Sequence, residues 1–167
     1  PTGGDASYTE ERFLARYDEL ANVLGNLGSR VISMIQKYRD GVVPEALGDG
    51  LDAEITETVQ KATAAMTRYK VHEALAASMD LARIANGYVE DQQPWSQAKD
   101  PEASADLDQT LATLTRALTI LCALFEPVAP AKMAEMALNL GLDGVPTLKA
   151  ARSLGLAGRR VSKGEPL

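Results

Sequence analysis

The chain has 167 residues, of which 46% are hydrophobic and 24% are charged, and its formal net charge is −6. This length and balance predict one globular domain with a core of its own. The acidic charge argues against a strongly basic nucleic-acid binder. No apolar run approaches the roughly 18 residues that a membrane span needs, and no signal-peptide pattern is present. We therefore expect a cytoplasmic protein that binds neither a membrane nor DNA.

The charge is unevenly distributed, because the last part of the chain is basic. From Lys149 onwards there are five basic residues and a single acid, Glu165. The simplest interpretation is a solvated basic terminus, although the local potential there differs from that of the whole chain. The sequence starts at Pro1 without a methionine and stops at Leu167 with no helix being completed. We therefore expect a piece of a longer protein.

The first predicted helix is about 30 residues long and would span about 45–50 Å. Ser7 and Glu10 form a capping box at its start, and Asp40 and Gly41 provide its exit. Between them, apolar side chains recur at steps of three and four. The stripe consists of Phe13, Tyr17, Leu20, Leu24, Leu27, Val31, Met34 and Tyr38. A helix of this length normally forms the spine of a bundle.

The same periodicity predicts further helices at residues 52–69, 71–91, 105–126 and 130–140 and a short one at 147–153. The second helix has the stripe Leu51, Ile55, Val59, Ala62, Met66 and Tyr69. The helix at 105–126 has the stripe Leu107, Leu111, Leu114, Leu118, Leu121 and Phe125. Residues 92–104 are predicted to be a loop, because they are rich in Gln, Pro, Ser and Asp. We find no convincing strand. The sequence therefore predicts an all-α, antiparallel bundle of about five helices over residues 1–141, followed by a tail at 142–167.

The sequence contains no phosphate-binding GxxxxGK[ST] or GxGxxG motif. His72 is the only histidine, and the HExxH pattern fails because position 76 is alanine. One histidine and one cysteine, Cys122, cannot form a Cys/His zinc site. We expect His72 to serve a helix start or packing, and Cys122 to lie in the core. The sequence shows no catalytic residues, no metal ligands and no cofactor site.

A polar ridge follows one shoulder of the apolar stripe in the first helix, and it consists of Asn22, Asn26, Arg30 and Lys37. At about 100° per residue, Arg30 lies about 60° and Asn26 about 100° to the same side of Leu27. Asn26 and Arg30 are four residues apart and are therefore neighbours on the surface. An amide and a guanidinium fork can together read a base edge or a phosphate. The alternative is that both are ordinary surface residues.

The only tryptophan, Trp95, follows Pro94 in the polar stretch YVEDQQPWSQAKD of residues 88–100. Its ring can fold back over the end of the bundle with the N–H bonded to a carbonyl. Alternatively it can stay exposed and stack on a nucleic-acid base. RNA is usually read as unpaired bases that stack on aromatic rings and hydrogen-bond at their edges. Trp95, Asn26 and Arg30 are a minimal set for such recognition.

Three segments resemble the anticodon-binding domain of methionyl-tRNA synthetases, a family of class I aminoacyl-tRNA synthetases. They are ELANVLGNLGSR at 19–30 with KYRDGVVP at 37–44, ANGYVEDQQPW at 85–95, and LFEPVAP at 124–130. The resemblance covers essentially the whole chain and implies a methionine tRNA as partner. It also implies that ATP and Mg²⁺ are bound by a catalytic domain, whose HIGH-like and KMSKS-like motifs are absent from this sequence. No cofactor is expected on this chain itself.

The resemblance assigns roles to individual residues. Trp95 would stack on the first anticodon base, a cytosine of the CAU triplet, while Asn26 and Arg30 would hydrogen-bond to it. The residues that would hold or orient the loop of Trp95 are Pro94, Asn86 and Asp91. Residues 142–167 would pack on the missing catalytic domain. The chain would thus supply discrimination to a methionine–tRNA ligase and be inactive alone.

Two other functions stay open from the sequence. One is a helical module that binds only protein, which a broad exposed apolar patch with Trp95 buried at its centre would favour. The other is the anticodon bundle of another class I synthetase, such as the valyl or leucyl enzyme. An independent helical enzyme is disfavoured, because the sequence has no cluster of titratable residues.

Overall fold

The computed structural model describes residues 9–164, and the chain is helical over most of that range. The elements are α1 (Glu10–Leu20), a π-helical segment (Ala21–Gly25), α2 (Asn26–Arg39), α3 (Asp52–Thr67), α4 (Val71–Gln92), α5 (Pro94–Gln97), a 3-10 turn (Pro101–Ala103), α6 (Ser104–Phe125), α7 (Pro130–Asn139) and α8 (Leu148–Ala151). Within the described residues, the only β pairing is one isolated bridge between Val42 and Arg160. The predicted all-α fold is confirmed.

The predicted first helix is one continuous path of α1, the π segment and α2. Gly25, which joins the π segment to α2, has the φ and ψ of a right-handed helix. The path ends as predicted, because Asp40 and Gly41 both adopt left-handed conformations, with φ of 51° and 77°. The predicted cap at Ser7 and the side chains of Phe13 and Tyr17 lie outside the described part of the structure.

Helix α6 forms the centre of the core. All six residues of its predicted stripe are buried, namely Leu107, Leu111, Leu114, Leu118, Leu121 and Phe125. Residues on neighbouring faces are buried too, including Ile120 and Cys122, whereas Arg116 and Asp108 stay partly exposed. Helices α2, α3, α4, α7 and α8 all contact it. A helix that is apolar over most of its circumference must be largely covered by protein, so α6 determines where the other helices pack.

The predicted stripe of the second helix is wrong at its C-terminal end. Helix α3 ends at Thr67, and Met66 and Tyr69 are 48% and 89% exposed. Tyr69 has a left-handed φ of 57° in the turn to α4, so it no longer follows the helical periodicity. The buried residues of α3 stop at Ala65, because the helix has by then passed the apolar surface on which it packs.

The predicted loop at 92–104 is also wrong, because it contains α5 and the 3-10 turn. Pro94 and Pro101 each occupy the first turn of a short helix, where a missing N–H has no cost. The side chain of Asp100 accepts a hydrogen bond from the Glu102 N–H at 2.9 Å, which caps the 3-10 turn. These prolines start helices here, whereas the sequence analysis counted proline among the residue types that indicate a loop.

The C-terminal tail packs back on the end of α2. The Val43 N–H donates to the Arg159 carbonyl at 2.9 Å, and the Gly158 N–H donates to the Val43 carbonyl at 2.9 Å. Leu156 and Val161 are buried and belong to the main core cluster. The tail is therefore attached to the bundle. Its packing on a catalytic domain stays a prediction.

We predict that Gly141→Ala lowers the free energy of unfolding by about 2 kcal/mol or more, measured by urea denaturation followed by circular dichroism. Gly141 has a φ of 76°, and a Cβ there would collide with the backbone carbonyl of Arg160 in the tail. The matched control is Gly87→Ala within α4, where a Cβ would meet nothing within 4 Å. That change should raise stability by about 0.5–1 kcal/mol. Equal effects of the two substitutions would contradict the packing described for the tail.

Candidate functional site

The residues predicted to bind RNA lie on α2, on the C-terminal half of α4 and on α5. Asn26 is the first residue of α2 and is exposed, and Arg30 follows one turn later. The Arg30 Nη2 atom lies 2.6 Å from the Glu90 Oε1 atom on α4. Helix α4 leads through Gln93 directly into α5, whose second residue is Trp95. The Arg30–Glu90 ion pair therefore ties the polar ridge to the segment that carries the indole.

The π-helical segment lies immediately before Asn26. The Asn26 N–H donates to the Ala21 carbonyl five residues earlier, which is the π-helical pattern. The amide Nδ2 of Asn86 donates to the Val23 carbonyl in this segment at 3.0 Å and to the Ala82 carbonyl at 2.9 Å. Asn86 thus fastens the irregular part of the first helix to α4. Its predicted role in orienting the Trp95 loop stays a prediction.

Trp95 occupies an intermediate position between the two arrangements that the sequence left open. Its side chain is half-buried and packs against the main core cluster, so part of the ring stays accessible. Pro94 beside it is buried, and it starts α5 with its φ already fixed. Packing against the core therefore restricts the rotamers of the indole. An aromatic ring with few free rotamers loses little conformational entropy when a ligand stacks on it, which would suit a stacking role.

Two acidic residues flank the site, and one of them was missed by the sequence analysis as a site residue. Asp91, predicted to orient the loop, is exposed. Its neighbour Glu90, to which the sequence analysis gave no role, pairs with Arg30. The two side chains are 40% and 59% exposed, so the pair is a surface one. Which of two adjacent acids faces α2 depends on how the helices cross, and the local sequence contains no signal for it.

His72 and Cys122, the only histidine and cysteine of the sequence, lie in different environments. His72 is exposed in the first turn of α4, and Cys122 is fully buried. Burial raises the pKa of the Cys122 thiol to about 12, so this cysteine stays neutral and acts as a core residue. Across residues 9–164, no three His, Cys, Asp or Glu side chains are grouped to hold a metal ion, and no helix is long and apolar enough to span a membrane.

One group of exposed apolar side chains lies away from Trp95. Met66, Tyr69, Val71 and Val128 are at least 48% exposed and lie at the turns that join α3 to α4 and α6 to α7. Trp95 is beyond the other end of α4 and is not fully buried. It is therefore not the buried centre of this apolar group, which is the arrangement that would favour a protein-binding module.

Residues 51–152 match the family model of the anticodon-binding domain of tRNA ligase. The chain belongs to this family. The methionine–tRNA ligase of Deinococcus radiodurans is 37% identical over 97% of this chain, which spans 25% of that enzyme. The methionine–tRNA ligase of Streptomyces coelicolor is 40% identical over 84% of this chain and 28% of its own length.

Solved structures agree with this assignment. The apo form of Mycobacterium tuberculosis methionyl-tRNA synthetase superposes with a TM-score of 0.89 at 29% identity. The match covers 98% of this anticodon-binding domain and 35% of the synthetase chain. The domain therefore spans about a quarter to a third of the proteins that it resembles. The resemblance noted from the three sequence segments is confirmed.

We predict that Asn86→Ala lowers the free energy of unfolding by about 1 kcal/mol, because the Val23 carbonyl loses its side-chain donor. The substitution should also destabilise the π-helical segment locally. Hydrogen exchange of the Asn26 amide, measured by NMR, should speed up, since that amide closes the π-helical turn. Asn22→Ala, at an exposed position of the same segment, is the control and should change neither quantity. Unchanged exchange in Asn86→Ala would mean that the π segment is held by other contacts.

Proposed function

We propose that this domain recognises the CAU anticodon of methionine tRNA as part of a methionine–tRNA ligase. Membership of the anticodon-binding family and homology to methionine–tRNA ligases support the general function. The observation that carries the finer proposal is the contact between Arg30 and Glu90, which places the arginine fork beside the segment leading to Trp95. In this proposal the amide of Asn26, the guanidinium of Arg30 and the indole of Trp95 border one surface.

In this proposal the first anticodon base, a cytosine, stacks on Trp95. Asn26 offers both a donor and an acceptor to its edge, and Arg30 offers a planar fork of donors to the base or its phosphate. Stacking on an aromatic ring tolerates every base, so discrimination has to come from the polar contacts. Pro94 and Asp91 would shape the loop around the indole, and Asn86 would keep the first helix in register.

The ligation itself is assigned to another part of the enzyme. A methionine–tRNA ligase joins methionine to its tRNA with ATP and Mg²⁺, and we propose that a catalytic domain outside this chain supplies that chemistry. The chain alone would be inactive, and its partners would be that domain and the tRNA. The proposed location is the cytoplasm, where the tRNA substrate is used.

The acidic character of the domain has a consequence for its affinity. With a net charge of −6, few cations can neutralise RNA phosphates, so the isolated domain should bind weakly and with a shallow salt dependence. A second contact elsewhere in the enzyme would raise the overall affinity through effective concentration. This division of labour suits a domain whose task is discrimination.

The test is a titration of Trp95 fluorescence with two anticodon stem-loop RNAs, one with CAU and one with its first base changed. We expect quenching with CAU, and weaker binding of the changed RNA. Asn26→Ala and Arg30→Ala should each lower the CAU affinity about tenfold, since each removes a hydrogen-bonded base contact.

The matched control is Arg83→Ala, which removes an exposed arginine on α4 whose partners are Glu19 and Asp80. It changes the net charge as Arg30→Ala does, and it should leave binding within about twofold, because surface ion pairs contribute little. Equal quenching by both RNAs would overturn the CAU assignment. Preference for a valine or leucine anticodon would assign the domain to another class I synthetase.

We predict that Glu90→Gln raises the affinity for both RNAs by about two- to fivefold and narrows the difference between them. The substitution removes an anion next to a polyanionic ligand, and it releases the guanidinium of Arg30 from its fixed partner. Asp80→Asn is the control, because Asp80 is also an exposed α4 acid paired with an arginine, Arg83. Weaker CAU binding by Glu90→Gln would contradict the prediction that Glu90 repels the RNA and restrains the guanidinium of Arg30.

A further inference from the structure

Gln93 has an unusual backbone conformation immediately before Pro94 and Trp95. Its φ and ψ are 48° and 60°, in the left-handed region. Besides glycines, only Asp40 and Tyr69 share a positive φ in the part of the chain that the structure describes. For a residue with a Cβ, this conformation costs about 1–2 kcal/mol. Such a conformation persists only where the surrounding structure holds it.

Hydrogen bonds on both sides of Gln93 hold this conformation. Its N–H donates to the Val89 carbonyl at 3.1 Å, which closes the end of α4. Its carbonyl accepts from the N–H groups of Ser96 at 2.7 Å and Gln97 at 3.2 Å, which builds α5. The Ser96 hydroxyl also lies 3.4 Å from the Gln93 Oε1 atom. One residue thus belongs to the hydrogen-bond patterns of two helices.

Pro94 restricts the backbone conformations that Gln93 can adopt. The proline ring disfavours the right-handed helical region for the residue before it, so α4 cannot simply continue through Gln93. An extended conformation would break the two bonds to α5 and turn that helix away from the core. Because Pro94 is buried, such a rotation would also expose it. The left-handed conformation is therefore what directs α5, and with it the indole.

We propose that Gln93 is a positioning residue that fixes the direction of Trp95 before RNA binds. The inference rests on the proposed function, since it concerns the same recognition surface. It extends that function by locating part of the affinity in a backbone conformation rather than in a contact with RNA. A ring that is already held in its binding position loses less entropy when a base stacks on it. Gln93 itself need not touch the RNA.

Gln93→Val is the decisive variant, because a β-branched residue strongly disfavours positive φ. Gln93→Asn is the conservative one, because asparagine tolerates the left-handed region. Gln93→Gly also accepts the left-handed region and removes the side chain, so it separates the effect of the backbone conformation from that of any side-chain contact. The control is Tyr69→Val, which places valine at a φ of 57° in a turn where the side chain is 89% exposed. Helix α4 separates the two positions by about 33 Å.

Two readouts are measured on the whole chain: acrylamide quenching of Trp95 without RNA, and affinity for the two stem-loop RNAs. We expect Gln93→Val to increase quenching and to lower CAU affinity about tenfold, whereas Gln93→Gly should keep both close to the wild type. Gln93→Asn should match the wild type in both. Tyr69→Val should lower the melting temperature but leave quenching and affinity unchanged.

Unchanged quenching in Gln93→Val would overturn the inference. A loss of affinity in Gln93→Gly or in Tyr69→Val equal to that in Gln93→Val would overturn it as well. The proposed function fails separately, if the wild-type chain does not distinguish CAU from the changed RNA. In that case the quenching experiment still decides whether Gln93 positions Trp95. The two failures are therefore distinguishable.

Discussion

Burial of most of α6 is the constraint on which the rest of the structure depends. A helix with apolar residues over most of its circumference leaves little surface for water, so other elements must cover most of its faces. Helices α2, α4 and α7 cover it, and α8 lies against it near the end of the chain. The crossing of α2 with α4 follows from this shared support. The position of the proposed recognition surface thus depends on the core, although none of its proposed ligand contacts belongs to the core.

Two local departures from ideal α-helical geometry determine how the residues of the proposed site are placed on this bundle. The π-helical segment before Asn26 and the left-handed Gln93 before Trp95 lie on the two elements that border the surface. Each is held by hydrogen bonds from both sides, by Asn86 in the first case and by the ends of α4 and α5 in the second. The rigidity of the site therefore comes from paired backbone groups. This suits a surface that has to distinguish bases through the positions of a few donors.

Hydrophobic periodicity predicted the main helices and the buried stripe of α6, because the apolar residues that recur at helical spacing there are the ones that pack in the core. The resemblance in three segments predicted the family. The pattern failed where local geometry overrode it. At Met66 and Tyr69 the stripe continued past the end of the packing surface, and at Pro94 and Pro101 the prolines started short helices. The π segment was invisible because apolar steps of three and four run through it, and Glu90 was missed because pairing across helices is a tertiary property.

The pairing of the tail with the end of α2 joins parts of the chain that are far apart in sequence. Val42 and Arg160 form a bridge across more than a hundred residues, whereas contacts within the helices are local. Closing so long a loop is slow in comparison with helix formation. We expect the bundle to collapse first and the tail to close afterwards, which pulsed hydrogen exchange would detect as late protection of the Val43 and Val161 amides. During synthesis, the end of α2 would stay uncovered until residues 158–161 leave the ribosome, so a chaperone could bind there in that interval.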